Sequence, residues 1–257
     1  MAKGKDSAKA AARKAAREAA QAEAEAFKRA ERRREKIRAW IYLALIAAVV
    51  LGLAYVAFLR PYLDDRAKEN RIKNLALGSI GTSPSAAGCR PEEKVDISIP
   101  KSGWHVDPGT TLSYEDAPPS YGKHWSEFLP TGRYRTIFTE KDRPPKEQLV
   151  HSLEHGHTVL WYDETLAADE TAFAVLQDIA DKLITEDNLV IAPWTTSGDK
   201  PDGGAFPDGA HLALTHWAGS GDDETGVTQY CDGVSGAAVK AFMIEYPKSD
   251  SPEPDAP

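Results

Sequence analysis

The sequence predicts an α+β domain with a small mixed sheet and packed helices, preceded by one transmembrane helix and a basic N-terminal helix. Three observations predict it. An uncharged apolar run at 39–59 divides the 257-residue chain into parts of opposite charge. Beyond it, apolar runs of strand length are interleaved with amphipathic segments of helix length. Two cysteines, Cys89 and Cys231, stand near the two ends of that later region.

Composition narrows the function classes. A hydrophobic fraction of 42% and a charged fraction of 27% exclude a polytopic transporter, a collagen and a wholly disordered chain. Two cysteines exclude a disulfide-dense scaffold and a cysteine-based zinc finger. The net charge of -8 opposes general nucleic-acid binding, and no nucleic-acid partner is expected. That total hides a split. Residues 1–38 hold 13 Lys+Arg and 6 Asp+Glu, net +7, while the rest hold 18 and 33, net -15.

The first element is the alanine-rich arm 1–38, a strong helix former with almost no large apolar side chain. Its expected role is to set topology, with lipid contact near Arg32–Arg38. The run 39–59 follows, AWIYLALIAAVVLGLAYVAFL, 21 residues without a charge. At about 1.5 Å per residue it spans roughly 31 Å, enough for a hydrocarbon core. A cleaved signal peptide would have a shorter apolar region and a small-residue site, which Phe58-Leu59-Arg60-Pro61 does not offer. The Lys/Arg excess places 1–38 in the cytoplasm and the remainder outside the cytoplasmic membrane. The lipid bilayer is thus an expected partner.

Residues 60–87 read as a short helical continuation and a flexible linker, 88–247 as one extracytoplasmic domain, and 248–257 as a disordered tail. Within the domain, strands are expected at VDISI (95–99), YRTIF (134–138), HTVLWY (157–162), NLVIAPW and HLALTHW, with a long ordered loop at 103–133. A helix KEQLVHSLEH opens after Pro144-Pro145 and closes at Gly156. A second helix carries Phe173, Leu176, Ile179, Ala180 and Leu183 at helical spacing, and Asp232 caps a third from about Val234 to Tyr246. In an oxidising compartment Cys89 and Cys231 are expected to form a disulfide.

The chemistry lies in the histidines. All seven are in the outer region, the densest run being HSLEHGH at 151–157. His151 and His155 stack on one helix face, opposite Leu149, Val150 and Leu153, with Glu154 nearby. They face water or something draped over them, and the loop at 103–133 brings His105 and His124. His124 as third ligand would make a site suited to zinc or copper(II), with Glu154 as fourth ligand or orienting group. The bland alternative is exposed histidines, His155 capping the helix end. HxxEH also matches the inverted zinc-peptidase motif, in which Glu154 is the general base. Phosphate-binding loops and the nucleophile elbow are absent.

The runs PPSYGKHW (118–125) and LVHSLEHGHTVLWY (149–162) resemble the bacterial membrane-protein family called domain of unknown function 3105. The resemblance covers about 95–246. It implies a basic N-terminus, one span and an outer domain, and it places His124, His151, Glu154 and His155 at motif positions. The stretch TGRYRTIFTEKDRPP departs from the family's Gly-x-Tyr-Asp-Glu-Pro pattern. The family's activity is unknown. The expectation is therefore a metal-binding, membrane-anchored protein without its own catalysis. A metal-dependent hydrolase, or an interaction module with a membrane or envelope protein partner, stands as the alternative.

Overall fold

The computed structural model describes residues 2–97, 104–129, 134–198, 201–207 and 209–254. The last two residues of the strand expected at 95–99 therefore lie outside the described residues, as do 103 and 130–133 of the expected loop and 255–257 of the tail. The chain divides into two compact units, Met1–Leu63 and Asp64–Pro257.

The first unit is helical: α1 (Ala2–Ala54), a π-helical turn, Tyr55–Leu59, and the first residues of α2 (Arg60–Asn74), whose remainder from Asp64 belongs to the second unit. The segment Arg17–Ser79 contains a window of mean hydropathy 2.5 with none of it buried, long and apolar enough to cross a membrane. By length and composition such a helix is a membrane span or a signal sequence.

The second unit is built on a five-stranded sheet of order β1-β7-β6-β4-β5. Its strands are β1 (Glu93–Asp96), β4 (Thr158–Tyr162), β5 (Leu189–Pro193), β6 (Leu212–Ala218) and β7 (Thr225–Cys231). Only β4 and β5 are parallel, so the sheet is mixed. Alternation along β4 sends Leu160 and Tyr162 to one face and Val159 and Trp161 to the other, and all are buried. The first face packs on α5 (Glu170–Lys182) through Leu176 and Ile179, and on α6 (Gly236–Glu245) through Val239 and Phe242. The second packs on α3 (Lys146–Glu154) through Leu149 and Leu153, with Trp104, Trp194 and Trp217 in the same cluster. A short helix, α4 (Glu164–Ala168), precedes α5. A second sheet has only two parallel two-residue strands, β2 (His105–Val106) and β3 (His124–Trp125), in the register His105 to His124.

Several expectations are corrected. The 60–87 segment is no loose linker where it meets the domain: Ile72, Leu77 and Ala87 are buried, and Lys240 Nζ donates to Leu75 O at 2.9 Å. Its glycines and serines suggested flexibility, but the leucine and isoleucine between them decide its fate. The 134–138 stretch makes only an isolated bridge, Ile137 to Ile191. Strand β7 was missed because Gly226 and Gln229 interrupt its apolar pattern. The cap of α6 is Ser235, whose side chain accepts from Ala238 N, whereas Asp232 faces Arg90. The tail forms a 3-10 turn at Lys248–Asp250 and buries Ser251. A polar composition hid this, because the tail is held by backbone hydrogen bonds rather than apolar anchors. One of them is Glu253 N–H donating to Glu154 O at 3.0 Å, a carbonyl otherwise left open at the end of α3.

Candidate metal centre

Helix α3 ends in a way that fixes its side chains. Gly156 takes φ +82°, Gly156 N–H donates to Leu153 O, and His157 N–H donates to Ser152 O. These two bonds are the Schellman closure, which needs a left-handed residue just past the helix. Leu149 and Leu153 anchor the helix on the sheet and turn His151 and Glu154 toward the β2–β3 pair. The parallel register of that pair sets His105 beside His124, ring centroids 4.8 Å apart.

His105, His124, His151 and Glu154 converge, each offering one ligand atom, all within 4.8 Å of one another. Glu154 Oε2 lies 3.2 Å from His124 Nε2, 3.5 Å from His105 Nε2 and 3.9 Å from His151 Nε2. A four-coordinate ion roughly 2.0–2.2 Å from nitrogen and oxygen ligands holds them about 3.4 Å apart, so the separations from Glu154 to His124 and His105 fit the edges of such a shell. His124 is fully buried and donates Nδ1–H to Gly122 O at 2.7 Å. That bond fixes the tautomer and leaves a bare lone pair on Nε2. His124 Nε2, His151 Nδ1 and Glu154 Oε2 are all buried without a hydrogen-bond partner. Buried polar atoms are rarely left so, and three on the members of one cluster are what a cation would satisfy. The His105 side chain is 53% exposed and forms the solvent edge of the cluster. Trp217 packs edge-on to His124 at 5.9 Å, an apolar wall.

The electrostatics agree with ligand chemistry. Burial, with His124 and His155 adding to it, pushes the His151 imidazole down to about 3. It is neutral at physiological pH, the form that binds metal. Burial raises the Glu154 carboxyl, but a hydrogen bond from His124 and the charge that His124, His151 and His105 carry when protonated hold it below the usual range; a bound cation would supply that charge while the imidazoles stay neutral.

Of the four residues expected as ligands, three converge and His155 does not join them. His155 is the C-cap of α3, with φ -92° and ψ 17°, and it stacks on His151 as the i,i+4 spacing predicts, ring centroids 4.6 Å apart. Its Nδ1 donates to Glu253 O at 3.2 Å, and its Nε2 faces His151 Nε2 at 2.8 Å. His105 takes the fourth place. Its position in the loop was legible, but a two-residue strand has no periodicity from which to read the register. The remaining histidines do other work. His157 Nδ1 donates to Ser152 O and His216 Nδ1 donates to His157 O, while His211 pairs with Asp163. Cys89 and Cys231 form the expected disulfide.

A family model described as protein of unknown function (DUF3105) matches residues 105–257. The matched span begins at His105 and includes every member of the cluster as well as the tail. No curated protein and no solved structure matches the chain.

Proposed function

The chain belongs to that family, whose description names no activity, and from the geometry we propose that its second unit is a transition-metal-binding domain. The ligands in this reading are His105, His124, His151 and Glu154. The observation that carries it is their convergence with three buried polar atoms lacking any hydrogen-bond partner. Three imidazoles and a carboxylate, with no thiolate or thioether among them, suit zinc or copper(II). With Glu154 inside the ligand set, four protein groups fill a tetrahedral shell. That is the arrangement of a metal-holding centre, whereas a hydrolytic centre keeps one position for water. Glu154 cannot serve as ligand and free base at once. The role is therefore metal handling or support of a membrane complex.

The same proposal anchors the domain at a membrane through 39–59, with residues 1–38 in the cytoplasm and the metal domain outside. The Lys/Arg excess before the apolar run supports that orientation. The disulfide supports an oxidising compartment for the domain. The test is zinc retention by the full chain in detergent after dialysis. Near-stoichiometric zinc in the wild type, lost in His124→Ala, supports the reading. No zinc in the wild type, or equal zinc in both, overturns it.

A further inference from the structure

Among the described residues of the C-terminal tail, Glu253 reaches the metal cluster. Glu253 N–H donates to Glu154 O at 3.0 Å, so the tail is pinned at the end of α3. Beside that bond lies the contact between His155 Nδ1 and Glu253 O. A carbonyl oxygen only accepts, so Nδ1 carries the proton. The Nε2 of a neutral His155 is then bare and accepts. Its partner at 2.8 Å, His151 Nε2, must be the donor. A neutral His151 that is protonated on Nε2 has its lone pair on Nδ1, the atom that is buried without a partner. Phe128 holds both rings, 4.4 Å from His155 and 5.2 Å from His151, which limits their rotation.

We propose that His155 is a positioning residue, fixed by the backbone carbonyl of Glu253, and that it makes His151 present Nδ1 to the metal. This rests on the four-ligand reading of the site and adds the tail as its regulator. Metal-bound histidines commonly donate their other ring N–H to a fixed acceptor, which sets their orientation and basicity. Here the acceptor is a second imidazole, itself set by the tail. The carbonyl carries the effect, so the Glu253 side chain, which is 55% exposed, is dispensable. Glu154, His155 and Glu253 also offer ligand atoms within 4.8 Å of one another. A second cation at His155 Nδ1 would move that proton to Nε2 and turn the His151 lone pair away from the first site. The two sites therefore compete, and the positioning role is the one compatible with a loaded centre.

The experiment is nitrogen NMR of ¹⁵N-histidine-labelled full chain in detergent with one equivalent of zinc. The inference expects His151 metallated at Nδ1 and protonated at Nε2. Zinc on His151 Nε2 overturns the inference while leaving the site. No zinc bound overturns the underlying reading of the site. Zinc titration of variants adds a second reading. His155→Ala and deletion of 248–257 are each expected to weaken affinity about 10–100-fold at unchanged stoichiometry. His155→Gln, which restores an acceptor, recovers part of the loss, and Glu253→Gln matches the wild type. A loss of one zinc equivalent in Glu253→Gln would instead make that side chain a ligand and overturn the inference.

Discussion

At the scale of single residues, the cluster grades its ligands by burial. His124 is fully buried with its tautomer fixed, whereas His105 stands at the exposed edge. Replacing His124 by Ala is expected to lower zinc affinity by more than the roughly 100-fold ceiling of an outer-shell change. His105→Ala is expected to cost less, because water reaches that position and can take the ligand's place. Competition titration with a zinc chelator measures both, and equal losses would refute the grading. Two other histidines set the acid limit of the fold. His157 and His216 are buried, and burial drives them down to about 3 and about 4. Their folded values lie below the unfolded value near 6.5, so the unfolded chain takes up protons first. The stability they support is complete above pH 6.5 and is lost as pH falls toward 4. The expected slope is about 1.4 kcal/mol per pH unit for each group in that window. Denaturant unfolding between pH 7 and 4.5 should show it, and His216→Gln should make the slope shallower. A flat profile would contradict the burial of these rings in neutral form.

At the scale of elements, α3 and its close were legible because their chemistry is local. Pro144-Pro145, the leucine pair and Gly156 lie within a dozen residues of one another, and the spacing of His151 and Glu154 follows from the helix. What the sequence did not disclose is long-range. The His105–His124 register depends on a strand pair across nineteen positions. The bond from Glu253 to Glu154 crosses about a hundred and is made by backbone atoms that no side-chain pattern marks. Strand β7 was hidden by Gly226, and the fold shows why a glycine stands there. A Cβ at Gly226 would lie 2.4 Å from Tyr121 Cδ1 and 2.5 Å from Ser120 Oγ. The loop that carries His124 thus lies directly on β7. Gly226→Ala is expected to destabilise the domain by about 1–3 kcal/mol and to weaken zinc binding as the Gly122 carbonyl shifts. Thermal unfolding and zinc titration together check this, and a stable variant with unchanged affinity would argue against the close packing.

At the scale of the whole molecule, the disulfide closes a separation of 142 positions, tying the segment before β1 to the end of β7. A chain-entropy model gives about 5 kcal/mol for so long a loop. Cys89→Ser/Cys231→Ser is therefore expected to unfold several kcal/mol more easily, and a double variant as stable as the wild type would exclude that account. The division of charge, the apolar run and the α+β architecture were readable from composition and periodicity alone. The packing of Ile72, Leu77 and Ala87 and of the 248–254 tail into the domain was not, since it depends on which surfaces they meet. The central claim concerns the metal, and X-ray absorption at the zinc edge tests it most directly. The full chain with one equivalent of zinc is predicted to show a four-ligand shell of three imidazole nitrogens and one carboxylate oxygen at about 2.0–2.2 Å. A shell dominated by water oxygens, or one unchanged in His124→Ala, would contradict it.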